Sequence, residues 1–135
     1  MADRLILSAR VHAELRAEAT RAVPFECCGV LAGRDGRVTA VYAVPNAAEE
    51  RLTRYEIDPA ELWAARRRAH DEGLEVVGFY HSHPRTPPVP SSYDVERAYY
   101  PDAIYAIAGL VPAFEVRAFR IGNGLVSQVG LEIEE

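Results

Sequence analysis

Two histidines one residue apart, His81-Ser82-His83, close a mostly apolar run that starts at Leu74. Side chains on a strand alternate between faces, so residues two apart project from the same side. Both imidazoles can therefore reach one ion. Zinc in catalytic sites takes three protein ligands and keeps a fourth position open, and two histidines with one carboxylate is a standard set. Asp94 is the candidate third ligand. The seven residues between His83 and Ser91 include Pro84, Pro87, Pro88 and Pro90, and their fixed φ angles lower the entropy lost in holding Asp94 beside the strand. The same residues also have structural readings. A His-x-His at a strand end can be a polar rim, and Ser91-x-x-Asp94 matches a capping box that places Asp94 in the first turn of a helix. Capping and ligation are compatible, because a helix start would orient the carboxylate.

Hydrolysis at such a site needs a base, since the attacking water loses a proton and the leaving amine gains one. A carboxylate outside the ligand set can do both. Glu26 follows Pro24-Phe25 and precedes a run of small residues, Cys28 to Gly33, that can pair as a strand beside the histidines. Spacing alone does not single it out from the twenty acidic residues of the chain.

The elements that position these groups read as follows. Leu5 to Leu7 is a strand, and Ser8 caps a helix to about Ala22 with Val11, Leu15 and Ala19 at helical spacing. Cys28 to Ala32 and Val38 to Val44 are strands joined by a hairpin at Arg34-Asp35-Gly36-Arg37. Asn46 to Leu52 is a polar loop, and Arg54 to Ile57 is extended. Asp58 with Pro59 behind it opens a second helix through Leu62, Ala65 and Ala69 that Gly73 ends. Leu74 to His83 is a strand, and a short helix runs from Ser91 or Ser92 to about Ala98. Ala103 to Ala108, Phe114 to Ile121 and Leu125 to Leu131 are strands, the last two turning at Gly122-Asn123-Gly124. The expected fold class is α/β, a mixed sheet with helices packed on it, in one domain over residues 1–135.

The pattern resembles the JAMM, or MPN-plus, metallopeptidase family in its minimal prokaryotic form. The family signature is a distant glutamate, His-x-His, seven residues, then Ser-x-x-Asp, matched here by Glu26, His81-Ser82-His83, Pro84 to Pro90 and Ser91-Ser92-Tyr93-Asp94. The likeness extends to the stretch around Glu26, to Tyr55–Pro59 and to Val77-Gly78-Phe79-Tyr80, and covers roughly Leu5 to Ile121. It implies a single MPN domain, a curved mixed sheet flanked by helices and similar to cytidine deaminases. It also implies one Zn²⁺ per chain held by His81, His83 and Asp94, Glu26 as general base and acid, and Ser91 as a donor to the tetrahedral oxyanion. The reaction implied is hydrolysis of the peptide or isopeptide bond after the C-terminal Gly-Gly of a ubiquitin-like or sulfur-carrier protein. The extended Arg54–Ile57 piece is the edge to which such a tail would add. Cys28 is read as a packing residue rather than a nucleophile, and Cys27 is left unplaced, with exposed thiol chemistry as one reading.

Composition bounds the alternatives. At 135 residues with 49% hydrophobic and 26% charged content, the chain can bury roughly two-thirds of its unfolded surface. A net charge of -5 and dispersed arginines offer no footprint for nucleic acid, and no helix-hairpin-helix segment suggests the DNA-repair branch of the family. Arg66-Arg67-Arg68 reads as a solvated helix face. No run is long enough to span a bilayer, the start from Met1 to Leu7 has no leader pattern, and adjacent cysteines rarely pair, so the expectation is cytoplasmic. All fifteen basic residues are arginine, which fits either base composition or an enzyme that offers no lysine acceptor of its own. Tyr99 and Tyr100 read either as a homodimer contact or as cover for the core. The functional alternatives are a zinc peptidase acting on short peptides and a non-catalytic MPN scaffold.

Overall fold

The computed structural model describes residues 4–135, and the first three residues of the segment read for a leader lie outside it. The elements in order are β1 (Arg4–Ser8), α1 (Ala9–Ala22), β2 (Cys28–Arg34), β3 (Arg37–Val44), α2 (Pro59–Asp71), β4 (Glu75–His83), α3 (Ser92–Glu96), β5 (Ile104–Gly109), β6 (Glu115–Gly122) and β7 (Leu125–Glu134). The sheet runs β1-β3-β2-β4-β5-β6-β7 and closes on itself through a parallel β1–β7 pairing. The mixed sheet expected from the sequence is therefore a closed one. Its parallel pairs are β1–β3, β1–β7 and β4–β5, and the others are antiparallel. No helix among the described residues is long and apolar enough to cross a membrane.

Helix signals in the sequence act as local chemistry requires. Ser8 Oγ accepts from Val11 N–H at the start of α1, and Asp58 accepts from Ala60 N–H ahead of Pro59 in α2. Gly73, at φ +74, ends α2, where its N–H and that of Leu74 bond the carbonyls of His70 and Ala69. Asp35-Gly36 and Asn123-Gly124 take the paired positive φ of tight hairpins.

The core has two layers, one on each face of the sheet. Leu5, Leu7, Val11, Leu15, Ala19, Tyr80 and the even-numbered residues of β5 pack with α1. Ala65, Ala69, Phe79, Tyr105 and Ile107 pack with α2 on the other face. β4 and β5 are buried on both faces, which is why Ala103 to Ala108 reads as a continuous apolar run rather than an alternating one.

Element boundaries differ from the sequence reading most at β7 and α3. β7 continues to Glu134 rather than Leu131, because residues 130–134 pair with β1 after residues 125–129 pair with β6. Ion pairs Arg4–Glu132 and Arg37–Glu134 flank that seam, both solvent-exposed and therefore weak. α3 stops at Glu96 instead of Ala98, since Pro101 biases Tyr100 away from helical backbone and Arg97 already caps the end. Arg54–Ile57, read as extended, joins no strand ladder, and the backbone groups of Arg54 and Glu56 bond Glu50, Asn46 and Ala47.

On the α1 face, Tyr80 O–H donates to Glu18 at 2.7 Å. Burial lifts the Glu18 carboxyl above its ordinary value, partly offset by bonds from Tyr80 and Cys27. The folded chain then keeps this proton to higher pH than the unfolded chain, so stability falls as pH rises through the raised value. Glu18→Gln keeps an acceptor for Tyr80 and cannot ionise. Its melting temperature relative to wild type is expected to climb as pH is raised from about 4 to about 8, measured by thermal melts on the metal-free proteins; a constant difference would contradict the assignment.

Candidate metal centre

His81 and His83 end β4 on one face of the sheet, both nearly fully buried. Their Nε2 atoms are 3.1 Å apart, and each is 3.1 Å from Asp94 Oδ2. Asp94 arrives on α3. Ser91 Oγ accepts from Asp94 N–H at 3.1 Å and Ser91 N–H donates to Asp94 Oδ2 at 2.9 Å, so the capping box is present and turns the same oxygen toward the imidazoles. The loop joining β4 to α3 is braced on both sides. His83 Nδ1 is 3.0 Å from Pro87 carbonyl oxygen, and Pro88 lies against Gly109, where a Cβ would stand 2.8 Å from the proline ring.

Glu26 enters ahead of β2, which pairs with β4 so that Cys28 faces His81 across the ladder. Ser82, between the histidines and fully buried, points its hydroxyl to accept from Cys27 N–H at 2.8 Å, while its own N–H donates to Cys27 carbonyl. The Glu26 N–H donates to Arg51 carbonyl at 2.8 Å, and its carbonyl accepts from Asn46 Nδ2 at 3.0 Å. So held, the Glu26 side chain sits with His81 and His83 in a group whose ligand atoms lie within 4.8 Å of one another. Tyr55 stacks on His81 with ring centroids 4.2 Å apart.

The donor set fits a metal on its own chemistry. Zinc bonds of about 2.0–2.1 Å at tetrahedral angles put neighbouring ligand atoms roughly 3.3 Å apart, close to the 3.1 Å triangle of two imidazole nitrogens and a carboxylate oxygen. The buried side-chain polar atoms without a hydrogen-bond partner among the described residues are Glu26 Oε1, His81 Nδ1 and Asp94 Oδ1. An unpaired buried polar atom costs about 1–3 kcal/mol, and for Glu26, grouped with the two histidines, a further group at the site would offset that cost. Imidazole with carboxylate suits a transition metal better than calcium or magnesium.

Residues 8–122 match the family model for prokaryotic homologs of the JAB domain. The chain belongs to this family. A desampylase of Haloferax volcanii is 49% identical over 86 residues, 62% of this chain and 62% of that protein, so the match spans less than two thirds of the relative. A CysO-cysteine peptidase of Mycobacterium tuberculosis is 34% identical over 134 residues, covering 97% of this chain and 92% of that protein. The solution structure of a Desulfitobacterium hafniense protein superposes with a TM-score of 0.89 at 31% identity, covering 97% and 93% of the two chains.

In this JAB domain, electrostatics follow burial and the shared Asp94 oxygen. Burial pushes the Glu26 carboxyl up to about 8, with nearby His83 pulling it down and Asp94 pushing it up. Burial lowers His81, which favours the neutral imidazole a metal needs. For Asp94 burial acts upward, but the hydrogen bonds from His81 and His83 outweigh it and hold the carboxyl well below its usual range. Burial pushes both cysteine thiols up to about 12, and Cys27 is half-buried rather than exposed, so neither is a thiolate near neutrality.

Beside the histidine–carboxylate cluster of the JAB domain a cleft of about 530 Å³ opens between the Tyr55–Pro59 segment, α2 and the tyrosines after α3. Tyr55, Ile57, Leu62, Phe79, Tyr99 and Tyr105 line it. Tyr99 is 65% exposed at its rim, and Tyr100 tilts onto Phe79. Ser82, Asn46 and Gly109 are site-forming residues that the sequence reading passed over. Ser82 appears there only as the spacer of His-x-His, and its position between two inward-facing residues on a strand was the available signal, since it puts the hydroxyl on the opposite face, toward β2's entry.

Proposed function

We propose that the chain is a zinc peptidase, one Zn²⁺ per chain, that hydrolyses the bond after the Gly-Gly terminus of a ubiquitin-like or sulfur-carrier protein. His81 Nε2, His83 Nε2 and Asp94 Oδ2 are the ligands, Glu26 is the general base and acid, and Ser91 assists the oxyanion. The observation that carries the reading is the 3.1 Å triangle of these atoms with an unpaired Glu26 carboxylate oxygen beside it. Names of relatives supply the substrate class: a desampylase and a CysO-cysteine peptidase. Bound zinc supplies a Lewis acid for the scissile carbonyl and lowers the pKa of its water to about 7. Glu26, buried beside the histidines, would take the proton of the attacking water and deliver it to the leaving amine. Ser91 Oγ accepts from Asp94 N–H, and a hydroxyl has one further donor, which is left for the oxyanion.

The carrier tail fits along Tyr55–Ile57 as an added strand. Arg54 and Glu56 use backbone groups on Asn46 and Ala47, whereas the N–H and C=O of Tyr55 and Ile57 have no protein partner among the described residues. That alternation is what an unpaired strand edge offers. With this tail at the mouth of the cleft, the protein acts as one domain, and a cytoplasmic carrier conjugate is its substrate.

The test is cleavage of a sulfur carrier extended beyond its Gly-Gly terminus, with products weighed by mass spectrometry. The zinc-loaded protein is expected to cut after the second glycine and nowhere else. Ile57→Pro, which removes one outward N–H, is expected to raise KM by about 2- to 10-fold, the worth of one hydrogen bond. Cleavage of short peptides but not of the carrier would move the substrate class; an unchanged KM would move the tail elsewhere.

A further inference from the structure

Asn46 lies in the polar loop after β3, outside the metallopeptidase signature. Its side-chain amide makes four hydrogen bonds, all of them to main chain. Nδ2 donates to the carbonyls of Glu26 at 3.0 Å and Arg54 at 2.9 Å, and Oδ1 accepts from the N–H of Ala48 at 3.0 Å and Glu56 at 3.1 Å. Two donors and two acceptor sites are the full capacity of the group. One side chain thus joins three separate stretches: the entry to β2 that carries Glu26, the loop after β3, and the segment that carries Tyr55.

That segment is tied at its other flank to α3. The Arg54 guanidinium lies 4.4 Å from the ring centroid of Tyr93, the neighbour of Asp94, and Arg97 lies over the same ring at 5.1 Å. Tyr55 in turn covers His81. Asn46 is where the main chain of the base and the aromatic cover of one histidine meet.

We infer that Asn46 is a positioning residue, which fixes the Glu26 carboxylate and the Tyr55 ring against the histidines by holding the two backbones that carry them. The inference rests on the peptidase reading for its kinetic consequence and on the hydrogen bonds alone for its structural one. Displacing a catalytic group by about 1 Å can cost roughly 10²-fold in rate, and Asn46 bonds none of the ligand atoms itself.

Asn46→Ala and Asn46→Asp separate its two roles, since aspartate keeps an acceptor for Ala48 and Glu56 but has no donor for Glu26 and Arg54. With the carrier conjugate, both variants are expected to lose about 10²-fold in kcat with zinc content unchanged, and the rise in KM is expected to be smaller than the loss in kcat, since Asn46 also holds the Arg54–Glu56 main chain. On the metal-free proteins, hydrogen exchange read by NMR is expected to speed up about tenfold or more in both variants at the Glu26 and Cys27 amides, which flank the carbonyl that Asn46 releases and are held by Arg51 and Ser82. The Ala48 and Glu56 amides speed up only in Asn46→Ala. A lower melting temperature with wild-type kcat would make Asn46 a loop staple and overturn the inference, as would unchanged exchange at Glu26. If wild type cleaves no carrier conjugate, the peptidase reading fails by itself, and the exchange result at Glu26 still decides for or against the positioning role.

Discussion

Glu26→Gln is expected to lower kcat on a carrier conjugate by about 10²- to 10⁴-fold, the contribution typical of a positioned general base, while zinc stays bound. The substitution is nearly isosteric, and Glu26 is held by its main chain through Arg51 and Asn46, with Ser82 bonding the next residue. The fold around it should therefore not move. The stability of the metal-free protein carries the opposite sign. Burial raises the Glu26 carboxyl from its ordinary value to about 8, so the folded state resists the ionisation that the unfolded state allows. Wild type loses stability as pH rises from the ordinary carboxylate range through about 8, and glutamine does not. The variant should thus melt above wild type by a margin that grows between about pH 5 and pH 8. A dead enzyme that is also more stable is the signature of a catalytic group kept at a cost to the fold. Retained kcat would remove Glu26 from the role of base, and a variant less stable than wild type at every pH would mean that its side chain serves packing instead.

The grouping of His81, His83 and Asp94 was legible because each part follows from short-range rules. Strand alternation puts His81 and His83 on one face, and a capping box fixes the Asp94 side chain relative to Ser91, whatever the rest of the chain does. The capping reading of Asp94 holds and is compatible with ligation, since one oxygen accepts the Ser91 N–H and meets both imidazoles. Glu26 was different. Its place depends on β2 pairing with β4 in the register that sets Cys28 against His81, residues far apart in sequence, and only the family pattern singled it out. Asn46, Ser82 and Gly109 act through contacts of the same long range. An asparagine after a proline at a strand end reads as turn chemistry, and nothing local says that it bonds Glu26 and Arg54. The closure of the sheet escaped for a related reason. The end of β7 is Leu131-Glu132-Ile133-Glu134, half polar, and its strand state comes from the β1 partner rather than from its own pattern.

Asp94→Asn is expected to abolish the stabilisation of the protein by zinc while leaving the helix cap in place. An asparagine side-chain oxygen can still accept the Ser91 N–H, and Ser91 Oγ can still accept from the backbone of residue 94. The charge that neutralises a divalent ion is gone. A ligand that binds only the folded state, at free concentrations about 1,000 times its Kd, stabilises by about 4 kcal/mol, which for a chain of this size shifts the melting temperature by roughly 10–20 °C. Wild type should show a shift of that order between zinc and a chelator, and Asp94→Asn essentially none. His83→Ala should also lose it, but with a lower metal-free melting temperature, because His83 also bonds the Pro87 carbonyl that braces the loop. Asp94→Ala separates ligation from capping: it should match Asp94→Asn in zinc response and fall below it without metal by about 1 kcal/mol, the usual worth of a cap. Equal metal-free stabilities for the asparagine and alanine variants would show that the Asp94 carboxylate serves the metal alone, and a zinc shift surviving in Asp94→Asn would shift the third ligand to Glu26, the other carboxylate near both histidines.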